Sequence, residues 1–89
     1  MGGMSTGLRI RVLFFAAAAE AAGCSGTEIL LAGSVRVADA AADLCRRFPA
    51  LEGLRNGGVA FAVNERYVPP DHPLREGDVL AWIPPVSGG

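Results

Sequence analysis

Val35-Arg36-Val37-Ala38-Asp39-Ala40-Ala41-Ala42-Asp43-Leu44-Cys45-Arg46-Arg47-Phe48 is where the apolar spacing of this chain changes character. Val37, Ala40, Ala41, Leu44 and Phe48 follow the i, i+3, i+4, i+7 rule, which sets them on one face of a helix. Asp39 near the start and Arg46-Arg47 near the end both complement the helix dipole. Pro49 closes the helix, because its ring disfavours the α conformation at Phe48. An amphipathic helix must bury its stripe against another element. The material for that lies on both sides of it.

Upstream, Leu8-Arg9-Ile10-Arg11-Val12-Leu13-Phe14-Phe15 opens with apolar and charged residues in alternation, the period of a half-buried strand. Ala16 to Ala22 is rich in Ala but short, and reads as a connection with at most one helical turn. After the Gly23-Cys24-Ser25-Gly26 turn, Thr27 to Leu31 reads as the returning strand of a hairpin, which Gly33-Ser34 ends. Downstream, Ala50 to Gly58 reads as a connection. Val59, Phe61 and Val63 alternate with small residues as a third strand, and Asn64-Glu65-Arg66 turns it into the short strand Tyr67-Val68. Pro69-Pro70-Asp71-His72-Pro73 cannot be regular structure, Leu74 to Asp78 is a tight turn, and Val79 to Ile83 is a closing apolar strand.

The order strand, strand, helix, strand, short strand, strand predicts an α+β fold, one main helix on a mixed sheet of about five strands. With the first and last strands, the most apolar of the set, paired at the centre, this is the β-grasp or ubiquitin-like arrangement. The expected organisation is a single domain over residues 1–89. Residues 1–7 form an N-terminal extension and residues 84–89 an extended C-terminal tail.

Composition narrows the function. At 51% hydrophobic and 19% charged the chain is globular in character, and its formal net charge of −1 without a basic run gives nucleic acid no electrostatic footprint. No apolar run reaches the length of a membrane span, and the start lacks the pattern of a signal peptide, so the expected location is the cytoplasm. Cys24 and Cys45 form neither a CxxC pair nor a zinc pattern and read as free thiols. His72 is the only histidine and cannot make a metal site alone. Asp71, Glu76 and Asp78 read as turn residues rather than an acid–base pair. Nothing in the chain builds a catalytic site of its own. Phe14, Phe15, Phe61 and Trp82 alternate on strands and are mostly core. A sheet with one helix leaves a face uncovered, however, and Phe61 and Trp82 are the candidates for meeting a partner there.

The ending Pro84-Pro85-Val86-Ser87-Gly88-Gly89 stands apart. Proline removes backbone donors and favours an extended path, and glycine lacks the Cβ that obstructs close approach. Such a tail suits threading a carboxyl group into another protein's active site. All eight basic residues are Arg, so apart from its α-amino group the chain offers no amine for acylation.

Taken with Arg11-Val12-Leu13-Phe14-Phe15-Ala16, Ala62-Val63-Asn64, Asp71-His72-Pro73-Leu74 and Glu76-Gly77-Asp78, this ending resembles the small, sulfur-carrier subunits of molybdopterin synthase (the MoaD type) over nearly all of Leu8 to Gly89. The resemblance implies that an ATP-dependent adenylating enzyme activates the Gly89 carboxylate and that a sulfur donor converts it to a thiocarboxylate. It further implies that Pro84, Pro85, Val86, Ser87 and Gly88 enter the large synthase subunit. There Gly89 delivers sulfur to a cyclic pyranopterin phosphate on the way to the molybdenum cofactor. A heterotetramer with the large subunit is expected, with no cofactor bound by the carrier itself and ATP used by the activating enzyme. Members commonly carry Arg where this chain has Ala19, before Glu20, so Arg11 or Arg66 is expected to take over that partner contact. They also often carry a Thr helix cap where this chain has Arg36. Three other readings stay open: a carrier for thiazole (thiamine) or cysteine synthesis, a ubiquitin-like modifier joined to amines through Gly89, and a plain interaction module.

Overall fold

In the computed structural model, which describes residues 7–55 and 58–85, the first and last strands run side by side at the centre of the sheet. β1 (Gly7–Phe14) and β5 (Val79–Ile83) pair in parallel, with Val12 beside Leu80 and Phe14 beside Trp82. β2 (Gly26–Ala32) returns antiparallel along the far side of β1, with Ile10 opposite Ile29. β3 (Ala60–Val63) lies antiparallel to β5, and β4 (Arg66–Val68) completes the order β2-β1-β5-β3-β4. The first and last strands running parallel at the centre, with β2 antiparallel on one side and β3 and β4 on the other, make the β-grasp topology predicted from the pattern.

Helix α2 (Val37–Arg47) covers one face. Its buried residues Val37, Ala40, Ala41 and Leu44 are the stripe read from the sequence, and Phe48 packs half-buried at its end. Below them lie Ile10, Val12 and Phe14 of β1, Ile29 of β2, Phe61 and Val63 of β3, and Leu80 and Trp82 of β5. The helix begins at Arg36, whose guanidinium has no acceptor with which to cap it. The reciprocal bond still forms, since the Arg36 N–H donates to the Asp39 carboxylate at 2.9 Å. Further tethers to the long 69–78 loop hold the helix start: the N–H groups of Val37 and Ala38 donate to the carbonyls of His72 and Pro70, at 2.9 and 2.8 Å.

Two segments expected as connections are helical. Ala17–Ala22 forms α1, and Leu51–Arg55 forms α3. Ala16 reverses the chain out of β1 at φ 51°, and Gly23 ends α1 in the left-handed region at φ 77°, its N–H donating to the Ala19 carbonyl. Neither helix is long enough to persist alone. Ala18 and Leu51 are fully buried, and that packing is what holds each turn in place.

Candidate functional site: the bare face of the sheet and the tail exit

The helix-covered face uses every second residue of the central strands, so the alternate residues define the opposite face. On β5 these are Val79, Ala81 and Ile83, and Leu13 is their counterpart on β1. Together with Phe15, Ala62, Asn64, Glu65 and Tyr67 they line a shallow concavity of about 520 Å³. The small side chains of Ala62 and Ala81, paired across β3 and β5, form its floor. Phe15 and Tyr67 stand at its rim, 47% and 74% exposed. A small-residue floor between exposed aromatics is a receptive shape, and exposed large apolar groups gathered in one place mark a contact surface.

Phe61 and Trp82, expected to face a partner, do not. They lie on the helix side at 8% and 0% exposure, packed edge to face with ring centroids 5.2 Å apart. The cause is register. Phe61 sits directly opposite Trp82, which lies beside Phe14, so the three rings share one face. That same alternation sends the next residue, Phe15, outward. Trp82 carries an indole N–H that is buried with no hydrogen-bond partner among the described residues.

Arg11 is exposed and shares the bare face, where with Leu13 it borders a second groove beside Ser25 to Glu28. Arg66 does not join it. Opposite Val63 on β4, it belongs to the helix side and lines a polar groove with His72, Arg75 and Asp78. His72 acts through its backbone, donating to the Pro69 carbonyl at 3.1 Å and accepting from Val37. Asn64 and Asp78 form the turn network that anchors β5. The Val79 N–H donates to the Asn64 side-chain oxygen at 3.0 Å, and the Asn64 amide donates to the Asp78 carboxylate at 2.9 Å. Asn64 itself adopts φ 51°, a conformation that Asn tolerates better than most residues. Cys24 is half-buried and Cys45 buried, and both are free thiols. Burial and a hydrogen bond to Glu52 push the Cys45 thiol up from its ordinary pKa.

The tail leaves beside the bare face. Ile83 is the last residue of β5 and lines the concavity. Pro84 is buried and Pro85 exposed, so the departure from the sheet falls between them. Val86, Ser87, Gly88 and Gly89 lie outside the described residues.

The family model that matches this chain is described as the ThiS family, and it covers residues 12–89. The chain belongs to the ThiS family. Among curated relatives of this ThiS-family chain, it is 37% identical to the molybdopterin synthase sulfur carrier subunit of Chlamydomonas reinhardtii, covering 92% of this chain and 100% of that protein. It is also 37% identical to the subunit of the same name in Escherichia coli, covering 90% and 99%. Two solved structures are 31% identical to it. One is a putative molybdopterin converting factor subunit 1 from Pyrococcus furiosus, at a TM-score of 0.80 over 89% of this chain and 99% of that one. The other is SAMP1 from Haloferax volcanii, at a TM-score of 0.81 over 91% and 99%. The fold alone is shared, at 23% identity and a TM-score of 0.64 over 92% and 100%, with a chain from a complex of subunits 1 and 2 of the molybdopterin-converting factor of Helicobacter pylori. No helix among the described residues is long and apolar enough to cross a membrane.

Proposed function

We propose that this chain is a sulfur-carrier subunit of molybdopterin synthase, working in the cytoplasm. The observation that carries the reading is the continuity between the apolar bare face and the point where Pro84-Pro85 leave the sheet. A protein seated over Leu13, Phe15, Tyr67 and Ile83 receives the tail at its own surface. Pro84 and Pro85 limit the tail's unbound freedom, which reduces the entropy lost on insertion. At about 3.1 Å per residue in an extended path, residues 85–89 span roughly 15 Å, enough to reach into a partner's pocket.

The chemistry follows from the terminal group. A carboxylate resists attack because its oxygen is a poor leaving group. Adenylation at Gly89 joins it to the α-phosphorus of ATP, releases pyrophosphate, and turns AMP into the leaving group. Attack on the acyl carbon by sulfide released from a sulfur donor forms the C–S bond, expels AMP and leaves a thiocarboxylate. Held covalently on the tail, that sulfur reacts with the pyranopterin at the high effective concentration of a positioned nucleophile. ATP thus belongs to the adenylating enzyme and the pterin to the large subunit, in a complex of two carriers and two large subunits. Likeness to molybdopterin synthase carriers and to a two-subunit converting-factor complex supports this reading.

The likeness to SAMP1, the small archaeal modifier protein 1 of Haloferax volcanii, favours one second reading, in which Gly89 is joined to an amine of a target. Intact mass after incubation with ATP, a cognate adenylating enzyme and a sulfur donor separates the two. A gain of one oxygen-to-sulfur exchange, abolished by extending the chain past Gly89, is the expected result. An unchanged mass with active partners sinks the carrier reading, and an isopeptide-linked product with target protein establishes the modifier.

A further inference from the structure

The two edges of the sheet are unequal. β4 has three residues, begins with Arg66 and runs into Pro69-Pro70, features that discourage further strand pairing. β2 has seven residues and no proline, and its outward-facing Leu30 is 57% exposed. Its one charge, Glu28, lies directly opposite Arg11 of β1.

The ladder shows which backbone groups that edge offers. The Phe14 N–H donates to the Ser25 carbonyl at 2.9 Å, which places this pair in the hydrogen-bonded class of the ladder. Antiparallel pairs alternate, which makes Val12 with Thr27, Ile10 with Ile29 and Leu8 with Leu31 the bonded pairs that follow. Gly26, Glu28, Leu30 and Ala32 therefore turn their N–H and C=O groups away from β1. Their amides lie at the open side of the sheet.

We propose that β2 pairs antiparallel with β2 of a second copy of this chain, about a twofold axis passing Ile29, to join the two sheets into one. The strand is self-complementary in this register. Glu28 meets the copy's Leu30, and Gly26 meets the copy's Ala32. Every outward residue thus finds an outward partner, closing about eight hydrogen bonds. A shift of two residues leaves one outward residue unmatched at an end of each strand, and a shift of one sets outward residues against inward ones. The exposed Leu30 gains the copy's Glu28 opposite it and the copy's Leu30 diagonally beside it on the bare face, while each Glu28 keeps its own Arg11 beside it.

The helix layer is compatible. A groove of about 410 Å³ beside the edge is bordered by Leu31, Ala32, Val35 and the α2 side chains Asp39, Ala42 and Arg46. A twofold reverses the direction of that α2 stripe, so its acidic start and its basic end are set against each other across the junction. The contact is small by the standard of stable interfaces, which makes the pairing transient and concentration-driven. It leaves Phe15, Tyr67, Ile83 and Pro85 uncovered, so it stands independently of the carrier function.

The test is amide hydrogen exchange by NMR on the full chain at about 20 μM and about 2 mM, with sedimentation equilibrium over the same range. Exchange at Glu28 and Leu30 is expected to slow at least about threefold at the higher concentration, with a rise in average mass. The amide of Tyr67, on the opposite edge, is expected to stay unchanged. Glu28→Pro removes only an outward donor, so it is expected to fold and to weaken association by about tenfold, as does Leu30→Lys. A chain that remains monomeric at the higher concentration overturns the proposal. So does slowing that includes Tyr67, association that survives both substitutions, or a Glu28→Pro variant that no longer folds.

Discussion

The two faces of the central sheet are built from the same strands and are both apolar around Ala81 and Trp82, with Arg9 and Arg11 farther out on the bare one, yet they have opposite fates. The helix-side face carries Ile10, Val12, Phe14, Leu80 and Trp82, large residues sealed under α2. The bare face carries Leu13, Ala62, Val79, Ala81 and Ile83, with its bulk moved to the rim at Phe15 and Tyr67. Size at the centre distinguishes them. The face that packs its own helix fills its centre, whereas the face proposed to meet another protein leaves room there. Apolar character alone does not separate core from contact surface in a chain this small.

That contrast can be broken by substitution. Trp82→Ala empties the middle of the covered face and is expected to cost about 3–5 kcal/mol of folding stability, read by denaturant unfolding. A loss below about 1 kcal/mol would mean that the rings of Phe14, Phe61 and Trp82 are not the core that the structure draws. On the bare face, Phe15→Ser with Tyr67→Ser is expected to leave stability within about 0.5 kcal/mol per site. The same pair is expected to weaken binding to the large synthase subunit at least tenfold, about 1.4 kcal/mol by titration calorimetry. An outer-face pair that unfolds the chain would erase the distinction. A smaller effect sharpens it: the two thiols differ in the same sense. Cys45, buried and with its thiol pKa raised, is expected to resist alkylation at neutral pH while half-buried Cys24 reacts. Raising the pH towards the Cys45 value increases its thiolate fraction and should narrow the difference, as mapped by peptide mass.

Much of this was legible in the residues. The closing strand Val79 to Ile83 reads with its observed bounds, because an apolar run between Gly77-Asp78 and Pro84 has little room to slide. The α2 stripe also reads correctly, since one face of eleven residues repeats its spacing more than once. What the pattern concealed was parity. Phe61 and Trp82 look like partner contacts when strands are read one at a time. Only the cross-strand register, Phe14 beside Trp82 and Trp82 opposite Phe61, assigns all three to one face. Counting alternation from Ile10 through Val12 and Phe14 would have turned Phe15 outward, and that signal was present. Helices α1 and α3 were hidden for a different reason. Five or six residues give no full period to recognise, and their helicity depends on burying Ala18 and Leu51 against elements distant in sequence. For the tail the order is reversed, because its glycines and prolines speak through composition and β5 supplies only the point of departure.

The parallel pairing of β1 with β5 also governs how this domain comes into being. Its two central strands come from nearly opposite ends of the chain, so the sheet closes late, after a long excursion through β2, α2, β3 and the 69–78 loop. A nascent polypeptide halted on the ribosome before Val79 lacks the strand that joins the β1–β2 and β3–β4 halves, and with it the outer concavity. The outer concavity therefore cannot form until the residues just before the tail have been made, because Val79, Ala81 and Ile83 of β5 line it.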